Sequence, residues 1–328
     1  MIGAHSRFET QSRRGTFISI VLAIVMLLVA GGGVWAFVSW KSRMRNEQKE
    51  LLRLWNEGTY EEAFTVSAGR LQEKPMDYYV LTIHGFAAYQ LAVAQITTFD
   101  TQTYIDEVIW SLRKALLCKE TYYTAWINYV LGKAYYHKGT GYEDLAIKFL
   151  EAVSVVSSSA ELADSFVARD LPEHLGLAYA AVHDYRASVE AFSLALSLEE
   201  ASPGADTQSE YSPDLLLLAM ARSYIALGED NSARAYLVRC VDTSRDSTTV
   251  ITARLLLGDI YRRVGDTAEA EVQYLTILEE NGEHAEARFQ LGELYEAAGD
   301  TTRARAEWRR AARIDPTHSG ARSRLNLI

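Results

Sequence analysis

The stretch from 126 to 137 holds the side chains best suited to binding another molecule. Trp126, Tyr129 and Tyr136 are spaced by three and seven residues, which places them on one face of a helix, and Lys133 and His137 lie among them. Aromatic side chains bury a large area with few rotatable bonds, and this suits the capture of a peptide. The alternative is that these rings face inward and belong to the core. Both interpretations indicate non-covalent contact rather than a reaction.

The sequence has no pattern typical of catalysis or of metal binding. It contains no HExxH, GxSxG, Walker loop or GxGxxG, and its seven histidines are scattered. His183 occupies a turn position where glycine is usual and is expected to be a turn residue. Cys118 and Cys240 form no CxxC pair and are expected to be buried thiols, with a disulfide possible only if the fold joins them. We expect no enzyme, no cofactor, no metal and no small-molecule substrate.

The charge is distributed unevenly along the chain. The net charge is −10, yet the first 50 residues hold seven basic and three acidic residues, whereas residues 51–328 hold 26 basic and 40 acidic ones. Nucleic-acid binding needs cations that displace phosphate counterions, and so an acidic body argues against it.

An uncharged apolar run extends from 15 to 40, with Arg13 and Arg14 before it and Lys41 after it. As a helix it would span roughly 39 Å, more than the ~30 Å hydrocarbon core of a bilayer. It predicts a short tail at 1–15 and an uncleaved transmembrane anchor at 16–40, and a cleaved signal peptide is the alternative.

The charges that flank this anchor do not fix its orientation, because the numbers of basic residues on its two sides are nearly equal. A short N-terminal tail that stays inside while the following domain is exported is the commoner arrangement. We therefore expect a single-pass protein of the bacterial inner membrane with its body in the periplasm.

A sparse pattern recurs in the body at an interval of 34 residues. The run LGELYEAAGDTTRARAEWRRAARIDP at 291–316 has the same Leu-Gly, Tyr, Gly and Ala positions as LGDIYRRVGDTAEAEVQYLTILEENG at 257–282. Both the pattern and the period resemble the tetratricopeptide repeat. Weaker copies give units that start near 44, 78, 125, 169, 214, 251 and 285.

The resemblance implies an all-α fold, a helix-turn-helix solenoid wound as a right-handed superhelix. About seven helix pairs would occupy 41–317, and a capping helix would occupy 318–328. Gly265 and Gly299 suit the left-handed position that ends a first helix. Two capping boxes are predicted at the starts of second helices. They pair Asp266 with Glu269 and Thr59 with Glu62.

In the tetratricopeptide family the first helix of each pair lines a concave wall that binds proteins or peptides. The positions that match it here are Trp55, Tyr79, Tyr89, Trp126, Tyr129, Lys133, Tyr136 and His137. The clamp that chaperone-binding members use for a terminal carboxylate needs Lys or Arg and Asn among these concave places, which include the ninth place of the first helix. No unit has Asn at that place, so this clamp is not expected.

These features predict a membrane-anchored, non-enzymatic scaffold that tethers or assembles partner proteins in the cell envelope. The run LGKAYYHKGTGYEDLAIKFLEAV, the anchor and the long insertions between repeats are similar to scaffold proteins of the spirochaete periplasmic flagellar collar, which implies a role in such a machine. The alternative function is a chaperone-like accessory of the protein export machinery.

Overall fold

The computed structural model of the chain describes residues 46–94, 98–156, 167–201 and 213–327. This part is all-α, with fifteen helices and no strand. The predicted anchor at 16–40 lies outside the described residues. Among the residues described, no helix combines the length and the apolar character needed to cross a membrane. The chain divides into two compact units, Met1–Glu210 and Tyr211–Ile328.

The N-terminal unit contains four helix pairs. In each pair the two helices pack against each other, and within the unit the first helices of successive pairs also contact each other. The helices are α1 (Asn46–Asn56), α2 (Tyr60–Glu73), α3 (Tyr78–Ala94), α4 (Thr98–Ala115), α5 (Thr124–Lys138), α6 (Glu143–Val156), α7 (Val167–Ala181) and α8 (Tyr185–Ala201).

The C-terminal unit contains three further pairs and a short last helix. Its helices are α9 (Pro213–Ala226), α10 (Asp230–Thr243), α11 (Ser247–Arg263), α12 (Thr267–Glu280), α13 (Ala285–Ala297), α14 (Thr301–Ile314) and α15 (Ser319–Arg324). In both units the first helices begin within four residues of the positions that the repeat pattern predicts. The described body is thus all-α and built from helix pairs, as expected.

Five of the seven described pairs close around a glycine of the first helix. A Cβ built on Gly292 of α13 would lie 2.5 Å from Nε1 of Trp308 in α14, and one on Gly258 of α11 would lie 2.4 Å from Cε1 of Tyr274 in α12. Any larger side chain would push the two helices apart, because packed interiors have no room for an extra carbon. The glycines of the repeat pattern therefore mark the positions where the two helices of a pair approach most closely.

We expect Gly292→Ala to lower the free energy of unfolding of the C-terminal unit by about 1–3 kcal/mol through overpacking. Gly69 in α2 is the matched control, because a Cβ there meets nothing within 4 Å. Gly69→Ala should instead stabilise by about 0.5–1 kcal/mol, since alanine favours the helix. Urea unfolding of both variants measures the contrast, and two shifts of the same sign would contradict this account of the repeat.

The turns inside the pairs match the sequence prediction in part. Gly265 and Gly299 have φ of 82° and 81°, the left-handed conformation that ends a first helix. Asp266 caps α12 by accepting a hydrogen bond from the Glu269 backbone N–H at 3.3 Å. The capping box predicted at Thr59 is wrong. Its hydroxyl donates to the Leu54 carbonyl at 3.1 Å and closes the preceding helix instead.

Three further sequence predictions concern single residues. His183 is a turn residue with φ of 63°, and its Nδ1 lies 2.7 Å from the Tyr185 hydroxyl. Neither Cys118 nor Cys240 forms a disulfide. Cys240 is buried as expected, whereas Cys118 is only half-buried, because it lies in the loop after α4.

Candidate protein-binding surface

The first helices of the N-terminal unit bring the predicted groove residues together. Helix α5 contacts α3 on one side and α7 on the other. It ends at Gly139, whose φ of 86° stops the helix just after the aromatic stretch. Lys133 of α5 lies close to residues of both neighbours, Tyr89 of α3 and Asp170 of α7, and Tyr129 also contacts Asp170.

Asp170 of α7 is the centre of a buried polar cluster. Its carboxylate accepts a hydrogen bond from the Tyr129 hydroxyl, and Lys133 Nζ lies 3.4 Å from its Oδ2. His174, one turn further along α7, has its Nδ1 2.9 Å from the same oxygen and 3.0 Å from the Asp170 carbonyl. Since both of these atoms only accept, His174 Nδ1 carries the proton. The ammonium of Lys133 also lies 5.9 Å from the ring centroid of Tyr89 in α3.

The electrostatics of this cluster favour the charged form of Asp170. Burial alone would raise the pKa of the carboxyl, but the attraction of His174 and Lys133 and the hydrogen bonds from His174 and Tyr129 outweigh it and hold the pKa well below its usual range. Burial, followed by the nearby Asp170, raises the pKa of Tyr129 well above its usual value, so Tyr129 stays a neutral donor. The cluster is a buried ion pair with satisfied partners, and it joins α5 to α7.

Five of the eight predicted groove residues are buried. Trp55 packs on Tyr60 and Phe86, with ring centroids 5.1 and 6.1 Å apart. The Tyr79 hydroxyl donates to the Gln48 carbonyl at 3.2 Å. The five buried residues are Trp55, Tyr79, Tyr89, Tyr129 and Lys133. Their burial and contacts favour the interpretation that they pack inside the unit.

The other three predicted residues, Trp126, Tyr136 and His137 of α5, are half-buried. Trp126 stands edge-on to Tyr129 with ring centroids 6.4 Å apart. Tyr136 stands edge-on to His174 at the same separation. These two half-buried rings thus lie directly beside the Asp170 cluster and form the part of the predicted groove that remains partly open.

Sequence reasoning missed Asp170 and His174. Both lie in the first helix of the unit that starts near 169, from which no groove residue was predicted. The available signal is the spacing of four between Asp170 and His174, which places an acid and a possible base on one face of the helix. It is a weak signal, because Arg169 and Glu173 of the same helix are also ionisable. Their partners, 37 to 41 residues earlier in the chain, follow only from the packing of α5 on α7.

A second buried polar group lies between α2, α3 and α4. His84 Nδ1 is 2.8 Å from the Ser67 hydroxyl, and its Nε2 is 3.6 Å from the Glu107 carboxylate. Burial lowers the pKa of His84 despite the attraction of Glu107. These three residue types also form hydrolase triads, but Ser67 is fully buried and donates its own proton to the Phe64 carbonyl at 2.8 Å. This group therefore stabilises the helix packing.

Comparisons with known proteins agree with the all-α fold built from helix pairs. The family model of the tetratricopeptide repeat matches residues 255–319. The C-terminal part of a tetratricopeptide-repeat-containing protein from Cytophaga hutchinsonii is 15% identical, covers 84% of this chain and 98% of its own, and has a TM-score of 0.56. The apo form of RapI is 13% identical, with 83% and 76% covered and a TM-score of 0.57. No curated protein matches the chain in sequence.

YrrB, described as a tetratricopeptide repeat protein with an unusual peptide-binding site, is 19% identical, covers 62% of this chain and 92% of its own, and has a TM-score of 0.46. At such identities the solved structures show the fold alone. That fold is the class of α-helical repeat proteins built from stacked helix pairs. Within this class, residues 255–319 match the tetratricopeptide repeat, and the described helix pairs have the same helix-turn-helix architecture.

Proposed function

We propose that the protein is a membrane-anchored, non-enzymatic scaffold that holds partner proteins or peptides on the first helices of its N-terminal unit. The observation that carries the proposal is the position of Trp126 and Tyr136. Both are half-buried rings on α5, and they lie beside a rigid ion pair between α5 and α7. Large aromatic side chains on a rigid element are typical anchors of protein interfaces.

Photo-crosslinking tests this proposal at single positions. A photoreactive amino acid at Trp126 or Tyr136 should form adducts with a defined set of proteins in the native cell. The same group at Leu194, a 52% exposed residue of the second helix α8, is the control. We expect adducts from the α5 positions and few from α8. Equal capture at all three positions would contradict a binding surface on α5.

The pattern of adducts also separates two kinds of partner. A component of an assembled periplasmic machine, such as the flagellar collar of spirochaetes, should give the same few adducts at fixed stoichiometry. A chaperone-like accessory of protein export should instead give many weak adducts with unfolded chains. We favour the first, because the Asp170 cluster fixes α5 against α7 and a fixed surface suits one partner better than many.

The localisation forms part of the same proposal. Residues 16–40 would anchor the protein in the bacterial inner membrane with the repeats in the periplasm, since the run is apolar and long enough and is flanked by basic residues. Protease added to spheroplasts should then digest the repeats, whereas protein in intact cells should resist. Full protection in spheroplasts that becomes digestion only after lysis would place the repeats inside the cytoplasm.

A further inference from the structure

The chain enters the N-terminal unit at one particular edge. Arg70 in the last turn of α2 pairs with Glu50 near the start of α1, so the beginning of α1 and the end of α2 lie side by side. The Tyr79 hydroxyl bonds the Gln48 carbonyl, which places the start of α3 there as well. Residues 74–77, between α2 and α3, therefore lie at the edge where the chain arrives from the apolar run.

The next loop between pairs lies at the same edge. Cys118 Sγ is 3.5 Å from the Met76 carbonyl, and the Tyr123 backbone N–H donates to the Tyr78 hydroxyl at 3.1 Å. Residues 116–123, between α4 and α5, are thus held against residues 74–77. We call these two segments together the loop edge.

The loop edge exposes apolar side chains that a soluble turn would not need. Met76 is 50% exposed, Leu117 77% and Tyr122 56%. Lys74 and Lys119 are exposed in the same two segments. A group of exposed apolar residues with a polar rim marks an interaction surface. Exposed aliphatic side chains accompanied by tyrosine and lysine are typical of protein surfaces that contact the headgroup region of a membrane.

We propose that the loop edge rests on the bilayer and inserts Met76, Leu117 and Tyr122 into its headgroup region. This inference rests on the proposed anchor at residues 16–40. Only five residues, 41–45, separate that run from α1. A chain of this length spans roughly 20 Å at most, so the edge where α1 begins cannot lie far from the membrane surface.

The charges near this edge support a lipid partner. Lys41, Arg43 and Arg45 precede α1 with no acidic residue among 41–45, whereas Lys74 and Lys119 of the loop edge are balanced by Asp77 and Glu120 of the same two segments. Basic residues close to an anionic lipid surface favour binding to it. Contact at the loop edge would orient the repeats relative to the membrane, whereas a single span followed by a short linker would leave them free to rotate.

A fluorescent depth measurement tests the proposal on the full-length protein. In a Cys118→Ser, Cys240→Ala background, Leu117→Cys carries an NBD label, and Thr140→Cys carries it in the control. Thr140 is exposed in the α5–α6 turn, at the opposite end of α5 from the loop edge. The protein is reconstituted in vesicles of phosphatidylcholine with a minority of phosphatidylglycerol. Emission is then quenched either by doxyl-labelled lipid or by aqueous iodide.

We expect lipid quenching at residue 117 to exceed that at residue 140 by about twofold or more, with the reverse order for iodide, because inserted side chains lie at the headgroup–acyl boundary. If the protein floats with the vesicles but residue 117 is quenched by iodide alone, the loop edge does not touch lipid. That result would overturn this inference and leave the proposed anchor unaffected. Protection from both quenchers would show that a second copy covers the edge and would overturn the inference. Failure to float with the vesicles would overturn the anchor and this inference together.

Discussion

Replacing Asp170 with Asn should lower the free energy of unfolding of the N-terminal unit by about 3–5 kcal/mol. The substitution keeps the size of the side chain but removes the negative charge that Lys133 and His174 face. Lys133 is buried, and so its ammonium would remain out of water without this carboxylate, while the buried His174 would lose the charged acceptor of its Nδ1–H. Losing one member of a buried pair costs far more than the intact pair contributes, because the other charge stays desolvated.

The matched control for this substitution is Asp106→Asn in the same unit. Asp106 pairs with Lys138, but its side chain is 60% exposed, and exposed pairs contribute about 0–1 kcal/mol. Urea unfolding of the full-length protein in detergent would compare the two variants. Adding Lys133→Met to Asp170→Asn should recover part of the loss, since it removes the stranded ammonium. Equal, small effects of Asp170→Asn and Asp106→Asn would contradict a stabilising role for the buried cluster.

The effect of Asp170→Asn should also depend on pH. The pKa of Asp170 in the folded protein lies below the value of about 3.9 that an Asp has in an unfolded chain. The stability that this carboxylate contributes is therefore fully present above that unfolded value and is lost as the pH falls through the folded pKa. The difference between the wild type and Asp170→Asn should shrink as the pH falls below about 4. A difference in stability that grew in acid would show that folding raises the pKa of Asp170 instead of lowering it.

The helix pairs could be predicted from the sequence because their signals are local. Gly292 and Trp308 lie 16 residues apart in one repeat, and the pattern that holds them also fixes the helix type and the position of the turn. Asp266 could be recognised as a cap because its partner is three residues away. Thr59 has the same spacing to Glu62, yet its hydroxyl donates to the Leu54 carbonyl and does not cap the next helix. No sequence pattern predicts which of these two nearby backbone groups such a hydroxyl will bind.

The candidate site could be predicted only in part, because it depends on how helices from different pairs are rotated against each other. Helix α3 is buried on nearly every side, with fourteen of its seventeen residues inside, and so its apolar pattern gives no preferred face. Counting residues from the start of the repeat therefore assigns Tyr79 and Tyr89 to groove positions, although both side chains are buried inside the unit. Lys133 of α5 and Asp170 of α7 are 37 residues apart in the chain and come together only when the two helices pack. The repeat pattern of the sequence does not predict such a contact.

Replacing Tyr129 with Ala should lower the free energy of unfolding by about 3–5 kcal/mol, because it removes a buried ring and leaves a cavity between α5 and α7. Tyr129 is 3% exposed, and its hydroxyl bonds Asp170. Tyr129→Phe keeps the ring and removes only that bond to a charged group, and so it should cost about 1.5–3 kcal/mol. An anchor residue of an open groove would instead show almost no change for either variant.

Tyr122→Ala provides the control for Tyr129→Ala, since Tyr122 is the same residue type in the same unit but is 56% exposed. In detergent its removal should change stability by no more than about 0.5 kcal/mol. Hydrogen exchange over residues 124–181 would show whether the loss at Tyr129 is confined to α5 and its neighbours, as expected when each pair contacts only adjacent pairs. If Tyr129→Ala unfolded no more easily than Tyr122→Ala but bound its partner more weakly, Tyr129 would belong to the binding surface, and Trp126 and Tyr136 would be only part of it.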